Sequence, residues 1–272
     1  MTRPVASLSL DLDNLWAYQM THGDPGWEAH PSYLERCVPL ALGMLADLGL
    51  TITFFIVGID AAEAPDRAVL RDIAERGHEI GNHSWSHRPW LHRMGPDEVR
   101  HEIAGAHDAI RDATGSEPRG FRGPGYSLSP TVLDTLGGLG YAYDCSTLPT
   151  VIGPLARAYY FRTARLDAGE SEDRELLFGS WTEGARPLSP YRWQVDGGHV
   201  VEVPVTTFPG LRIPIHISYL LYLDGVHPAL AAAYFRAALA ACRAAGVTPS
   251  LLLHPLDFVG SDDIAGLEFF PG

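Results

Sequence analysis

The sequence predicts an α/β protein whose sheet has about seven parallel strands in a barrel-like arrangement, and three patterns support this fold class. Short β-rich runs alternate with segments whose apolar residues recur at helical spacing, as at Val99, Ile103, Ala106 and Ile110. Prolines stand where first helical turns should begin, and glycines follow the expected last turns. The seven strand candidates favour a barrel-like closure over an open doubly wound sheet.

These elements follow one another along most of the chain. The strand candidates are Val5–Leu10, Thr51–Val57, Glu79–His83, Gly120–Arg122, Tyr141–Asp144, Val200–Thr206 and Ser250–His254. The expected helix starts are Pro65, Pro96, Pro130 and Pro228, and the expected helix ends are Gly49, Gly77, Gly115 and Gly246. Residues 147–199 interrupt the alternation, because they are rich in aromatic and turn residues and have no clean period. We therefore expect one domain over residues 1–272 with an irregular insertion at about 147–199.

Composition excludes several classes of function. The chain has 272 residues and a formal net charge of −13, and all 20 of its positive charges are arginine, since it contains no lysine. P-loop NTPases, protein kinases and Schiff-base enzymes each need a lysine amine. The acidic balance disfavours a nucleic-acid partner. Three unclustered cysteines form no disulfide framework.

The termini and hydropathy predict a cytoplasmic location. The first residues lack a signal-peptide pattern, and no apolar run reaches the ~20 residues that a transmembrane helix needs. A small molecule, a glycan or a glycolipid is the expected partner. The sequence leaves the oligomeric state open.

Polar residues follow five of the strand candidates, where a parallel sheet or barrel binds its ligands. They are Asp11 to Asn14, His83 to His87, Arg122 to Tyr126, Asp144, and His254. Each has an ordinary structural explanation when taken alone, such as a turn, a helix cap or a strand end. Their convergence on one rim predicts a functional site.

Two of these groups have the residue types of a metal site. Asp11 and Asp13 point to the same side of an extended strand, so a cation or a shared proton is needed to relieve their repulsion. His83 and His87 have the spacing that places two imidazoles on one face of a helical turn. One carboxylate and two imidazoles leave coordination positions open, which is typical of a catalytic metal site.

In this order, the motifs resemble those of the polysaccharide deacetylase (NodB-homology, carbohydrate esterase) family. The residues that carry the resemblance are Asp11-Leu12-Asp13-Asn14, His83-Ser84-Trp85-Ser86-His87, Arg122-Gly123-Pro124-Gly125-Tyr126, Asp144 and Leu251-Leu252-Leu253-His254. The resemblance implies a distorted (β/α) barrel and a divalent metal, most often Zn²⁺, with Co²⁺, Ni²⁺ or Mn²⁺ as alternatives. The Asp-x-Asp form of the first motif resembles the branch that deformylates lipid-linked amino sugars in the cytoplasm.

The resemblance also implies a role for each matching residue. Asp13, His83 and His87 match the metal ligands, and Asp11 matches the general base that Arg122 orients. His254 matches the general acid, with Asp144 as its expected partner. A backbone N–H of Gly125 or Tyr126 is expected to hold the oxyanion. Trp85 is expected to stack on a sugar, with packing in the lid of the barrel as the alternative.

The expected function is metal-dependent hydrolysis of an N-acyl group, most often N-acetyl, on an amino sugar or sugar conjugate. Two alternatives stay open at this stage, a deformylase of a lipid-linked amino sugar and an amidohydrolase of a small non-sugar amide. A binding protein without activity would normally lack the base or the acid, and this chain has both Asp11 and His254.

Overall fold

The sheet that organises this protein has eight strands in the order β6-β7-β5-β4-β3-β2-β1-β8. The computed structural model describes residues 5–153, 181–196, 198–260 and 264. The strands are β1 (Ser7–Asp11), β2 (Thr53–Ile56), β3 (Glu79–Asn82), β4 (Gly120–Phe121), β5 (Tyr143–Asp144), β6 (Tyr191–Val195), β7 (Gly198–Glu202) and β8 (Ser250–Leu253). All neighbouring strands run parallel except β6 and β7, which form an antiparallel hairpin.

The predicted fold class is confirmed, and the sheet curves as an open half-barrel. β6 and β8 are its two edges among the described strands. The extra strand, β6, falls in the region expected to be irregular. Its sequence does alternate between apolar and polar residues, as in a strand with one buried face. In the structure, Tyr191, Trp193 and Val195 are half-buried while Arg192 and Gln194 are exposed. Residues 154–180 of the predicted insertion, which include Tyr159, Tyr160 and Phe161, lie outside the described residues.

Helices follow most of the strands and cover the sheet. They are α1 (Leu15–His22), α2 (Leu34–Asp47), α3 (Gly58–Ala62), α4 (Arg67–Glu75), α5 (Pro96–Arg100), α6 (Ala106–Thr114), α7 (Pro130–Gly138), α8 (Ile217–Val226) and α9 (Pro228–Ala245). A π-helical turn at His101–Gly105 joins α5 to α6. Proline occupies the first turn of α5, α7 and α9, as predicted, because its missing N–H has no partner at that position anyway.

The main core lies between the first strands and their helices. Leu10, Phe54 and Ile56 of β1 and β2 are fully buried against apolar side chains of α2, α4 and α6. This packing fixes the strands from which the polar loops extend. In the part of the chain that the structure describes, no helix combines the length and apolar character needed to cross a bilayer.

Candidate active site

Three predicted ligands meet at the carboxyl ends of β1 and β3. Asp13 Oδ1 lies 3.2 Å from His83 Nε2 and 3.0 Å from His87 Nε2, and one ligand atom from each residue lies within 4.8 Å of the others. All three side chains are buried. Burial opposes ionisation of Asp13, but the charges and hydrogen bonds of His87 and His83 outweigh it and hold the pKa of Asp13 well below its usual range. The arrangement suits a cation, which would replace the protons shared among these groups.

The histidine pair is held by a loop rather than by the predicted helical turn. Ser84 and His87 both have positive φ, at 64° and 51°, so the chain between the two histidines is not helical. The two imidazole rings still lie 5.0 Å apart between centroids. The two imidazoles therefore lie together, as their spacing predicted, but the predicted helical turn is wrong.

Two main-chain carbonyls orient His83, one through its backbone N–H and the other through its ring. Its N–H donates to the Ile56 carbonyl at 2.8 Å, and its Nδ1 lies 2.6 Å from the Arg122 carbonyl. Because Nδ1 is engaged, Nε2 is the atom that faces Asp13. Ligating histidines commonly use their second nitrogen in this way.

Asp11 pairs with Arg122, as the resemblance implied. Arg122 Nη1 donates to Asp11 Oδ1 at 2.5 Å and to Ser9 Oγ at 2.9 Å, and Arg122 Nε donates to the Cys145 carbonyl at 3.1 Å. The guanidinium also lies over the Phe55 ring, 4.4 Å from its centroid. Although burial opposes the charge, Asp11 and other nearby groups raise the pKa of Arg122 above its usual value. Asp11 Oδ2 faces the other way, 4.0 Å from His83 Nε2.

The expected pairing of Asp144 with His254 is wrong. His254 Nδ1 lies 3.0 Å from Ser218 Oγ, whereas Asp144 accepts hydrogen bonds from the N–H and Oγ of Ser146. The sheet order explains the difference, because four strands separate β5 from β8. No periodic pattern along the chain identifies Ser218.

Asp144 instead forms a buried pair of carboxyl groups with Glu202 of β7. Burial and the neighbouring Asp144 raise the pKa of Glu202 well above its usual value, so the pair holds a proton. Thr147 donates to Glu202 from its N–H and its hydroxyl, and Trp193 Nε1 donates at 2.9 Å. Ser146 extends the network by accepting from the Gly123 N–H at 2.8 Å. Asp144 therefore supports the turn that carries Arg122.

Gly125 and Tyr126 lie in that turn and have positive φ of 58° and 62°. The Tyr126 N–H already donates to the Gly123 carbonyl at 3.0 Å. Of the two expected oxyanion donors, the backbone N–H of Gly125 is therefore the one that the predicted oxyanion hole requires.

Trp85, the expected sugar-stacking residue, packs closely against a helix. A Cβ added to Gly58 would lie 2.8 Å from both the Trp85 ring and Ala106 of α6. The ring also lines an open cavity of about 570 Å³ together with Trp16 and Trp27. None of the three metal-ligand candidates lines this cavity, so the stacking role of Trp85 stays a prediction.

Comparison with known proteins tests the resemblance. Residues 24–143 match the family model described as polysaccharide deacetylase. This match confirms the resemblance to the polysaccharide deacetylase family over that segment. The match begins after Asp13 and ends before Asp144 and His254. The positions of these three residues relative to the matched segment therefore come from the structure.

Two curated relatives each match part of this chain. A chitooligosaccharide deacetylase from Bradyrhizobium is 36% identical over 107 residues, which are 39% of this chain and 48% of the relative. A peptidoglycan-N-acetylglucosamine deacetylase from Bacillus cereus is 34% identical over 86 residues, 32% of this chain and 30% of the relative. The chain thus spans at most about half the length of these relatives.

A crystal structure from Mycobacterium smegmatis, described as a candidate polysaccharide deacetylase, shares the fold. It has a TM-score of 0.61 and 23% identity, and the match covers 94% of this chain and 79% of that one. At this identity, the similarity supports the family's fold.

Proposed function

We propose that this protein is a metal-dependent hydrolase that removes an N-acetyl group from an amino sugar in a glycan. One observation carries the proposal: Asp13, His83 and His87 converge within 4.8 Å, with Asp11 directly beside them. The names of the relatives, chitooligosaccharide deacetylase and peptidoglycan-N-acetylglucosamine deacetylase, support amino-sugar substrates.

The residues present fit a transition-metal ion. One carboxylate and two imidazoles are the donor set that zinc prefers in catalytic sites, and the set leaves positions for water and substrate. We propose Zn²⁺, with Co²⁺, Ni²⁺ and Mn²⁺ as ions that the same donors accept. When bound, such an ion supplies Lewis acidity and lowers the pKa of water from 15.7 towards ~7.

Asp11 is the proposed general base. Arg122 occupies its Oδ1, so the carboxylate is fixed and Oδ2 remains directed towards the ligand cluster. From there Oδ2 takes the proton of the attacking water. A positioned group of this kind typically contributes about 10²–10⁴-fold to the rate.

His254 and Gly125 complete the proposed reaction. His254 Nδ1 is bonded to Ser218, so Nε2 is the nitrogen that gives a proton to the departing amine. The Gly125 N–H donates to the oxyanion that develops on the acyl oxygen. The carbonyl–nitrogen bond then breaks, giving acetate and a free amino sugar.

A lipid-linked amino sugar, deacylated or deformylated, is a second candidate substrate. The observation that favours it is the surface of α8, the helix that carries Ser218. Leu221 and Tyr222 there are 46% and 59% exposed, next to the residue that contacts His254. The cytoplasmic location stays a prediction.

The deciding experiment measures acetate release from N-acetylchitotetraose by zinc-loaded protein, with Asp11→Asn and His87→Ala alongside. We expect turnover by the wild type, metal retention without turnover in Asp11→Asn, and loss of both in His87→Ala. N-acetylated peptidoglycan tests the glycan that the name of the Bacillus cereus relative suggests, and 4-nitroacetanilide tests a non-sugar amide. Turnover of the anilide alone would contradict the sugar proposal, and wild-type turnover by Asp11→Asn would contradict the assigned base.

A further inference from the structure

The main chain and the ring of His254 are fixed by different neighbours. The His254 N–H donates to Asp257 Oδ2 at 2.8 Å, and the Asp257 N–H donates back to the His254 carbonyl at 3.0 Å. These two bonds hold the backbone where β8 ends. The ring is held by Ser218, whose Oγ lies 3.0 Å from Nδ1. A neutral hydroxyl therefore occupies the position where a carboxylate was expected.

Ser218 is anchored by the segment that precedes it. Ile215 is fully buried against Ala238 and Cys242 of α9, and the Tyr234 hydroxyl donates to the Pro214 carbonyl at 2.9 Å. The segment enters α8 at Ile217, so Ser218 stands in the first helical turn. Because the segment before it is anchored in this way, Ser218 holds the His254 ring in one orientation.

The imidazole beside His254 adds no positive charge to its surroundings. His216 lies with its ring centroid 6.0 Å from that of His254. Burial, with His254 and Arg122 nearby, lowers the pKa of His216 to about 3, so this imidazole is neutral at ordinary pH. Two charged groups on adjoining elements are Asp257, whose carboxylate accepts the His254 N–H, and Asp11 of β1, which is paired with Arg122.

We infer that Ser218 is a positioning residue for His254, fixing the ring through Nδ1 so that Nε2 delivers the proton to the leaving amine. A hydroxyl both donates and accepts hydrogen bonds, so Ser218 stays bonded to Nδ1 whether His254 is charged or neutral. A carboxylate in its place would favour the imidazolium and make it a weaker acid. The inference rests on the proposed deacetylase function, which supplies the reaction in which His254 acts.

The kinetic test compares Ser218→Ala, Ser218→Thr and Ser218→Asp as zinc-loaded enzymes on N-acetylchitotetraose. We expect Ser218→Ala to lower kcat about 10-fold with KM nearly unchanged, since the ring loses its orientation but the substrate contacts remain. Ser218→Thr should restore most of kcat, because it keeps the hydroxyl. Ser218→Asp should move the alkaline limb of the kcat–pH profile up by about 1 unit or more. Val226→Ala, at the exposed end of the same helix, is the matched control.

A second readout separates this inference from the proposed function. NMR of the ¹⁵N-labelled His254 ring, assigned with a His254→Gln variant, should show one fixed tautomer in the wild type and tautomer exchange in Ser218→Ala. If no protein releases acetate but the ring spectra differ as expected, the function fails and the positioning role stands. Identical His254 spectra in wild type and Ser218→Ala, or equal loss of kcat in the Ala and Thr variants, would overturn the role of Ser218.

Discussion

Arg122 donates to Asp11 at 2.5 Å and joins two strand ends that lie 111 residues apart in the sequence. The same residue contacts the proposed metal ligands through its backbone, because its carbonyl accepts from His83 Nδ1 at 2.6 Å when that nitrogen carries the proton. One residue therefore orients the proposed base with its side chain and a proposed ligand with its main chain. The turn after Arg122 is supported in turn by Ser146 and Asp144. The geometry of the site therefore depends on the residues that follow β4, although this strand has only two residues.

Substitution of Arg122 should separate the two functions of this residue. Arg122→Gln removes the charge but leaves the carbonyl that orients His83. We expect metal binding to persist, kcat to fall about 10–100-fold, and the free energy of unfolding to fall by about 3–5 kcal/mol, because Asp11 would be left as an unpaired buried charge. Kinetics on N-acetylchitotetraose and urea unfolding measure the two effects. The double variant Arg122→Gln/Asp11→Asn is the control and should recover part of the stability; full wild-type activity in Arg122→Gln would refute the orienting role.

Removal of single ligands should abolish metal binding. Elemental analysis of zinc-reconstituted wild type should give about one equivalent of metal per chain, and Asp13→Asn or His87→Ala should give far less, because three protein ligands are the minimum for a catalytic zinc site. His92→Ala is the matched control, since His92 is half-buried and contacts Ser127 rather than the cluster. Equal zinc content in the wild type and His87→Ala would contradict the assignment of the ligands.

The paired carboxyl groups of Asp144 and Glu202 should make stability fall at alkaline pH. The pKa of Glu202 is raised in the folded state, so folding takes up a proton between the unfolded and folded pKa values. The stability is fully present below the unfolded pKa of about 4.3 and is lost as the pH rises through the folded pKa. Glu202→Gln carries no proton to lose, so its stability should depend less on pH. We expect it to be the more stable protein at about pH 9.

Urea unfolding at about pH 5, 7 and 9 measures this difference. Asp47→Asn, an exposed carboxylate on α2, is the matched control and should leave the slope unchanged. The same slope in the wild type and Glu202→Gln would show that the buried pair does not retain its proton.

The sequence predicted those parts of the site that one strand or one loop carries. Asp11 and Asp13, like His83 and His87, are close in the chain, so their residue types and spacing indicate a metal site before any fold is known. The partners of Asp144 and His254 depend on the sheet order, which places β7 beside β5 and β8 beside β1. No local pattern records that order. Glu202 and Ser218 were therefore found only from the structure.

Gly81 of β3 should tolerate no side chain, because it makes room for the ring that supports Arg122. A Cβ added to Gly81 would lie 2.5 Å from Phe55 Cδ1, and Phe55 carries the Arg122 guanidinium on its ring. Gly81→Ala should therefore displace the ring, lower the free energy of unfolding by about 1–3 kcal/mol and reduce kcat as Arg122 shifts from Asp11. Gly138→Ala on α7 is the matched control: an added Cβ there meets nothing within 4 Å, so we expect unchanged or slightly increased stability. Thermal unfolding and kinetics on N-acetylchitotetraose compare the two variants, and equal behaviour would show that the packing beneath Arg122 has no influence on the site.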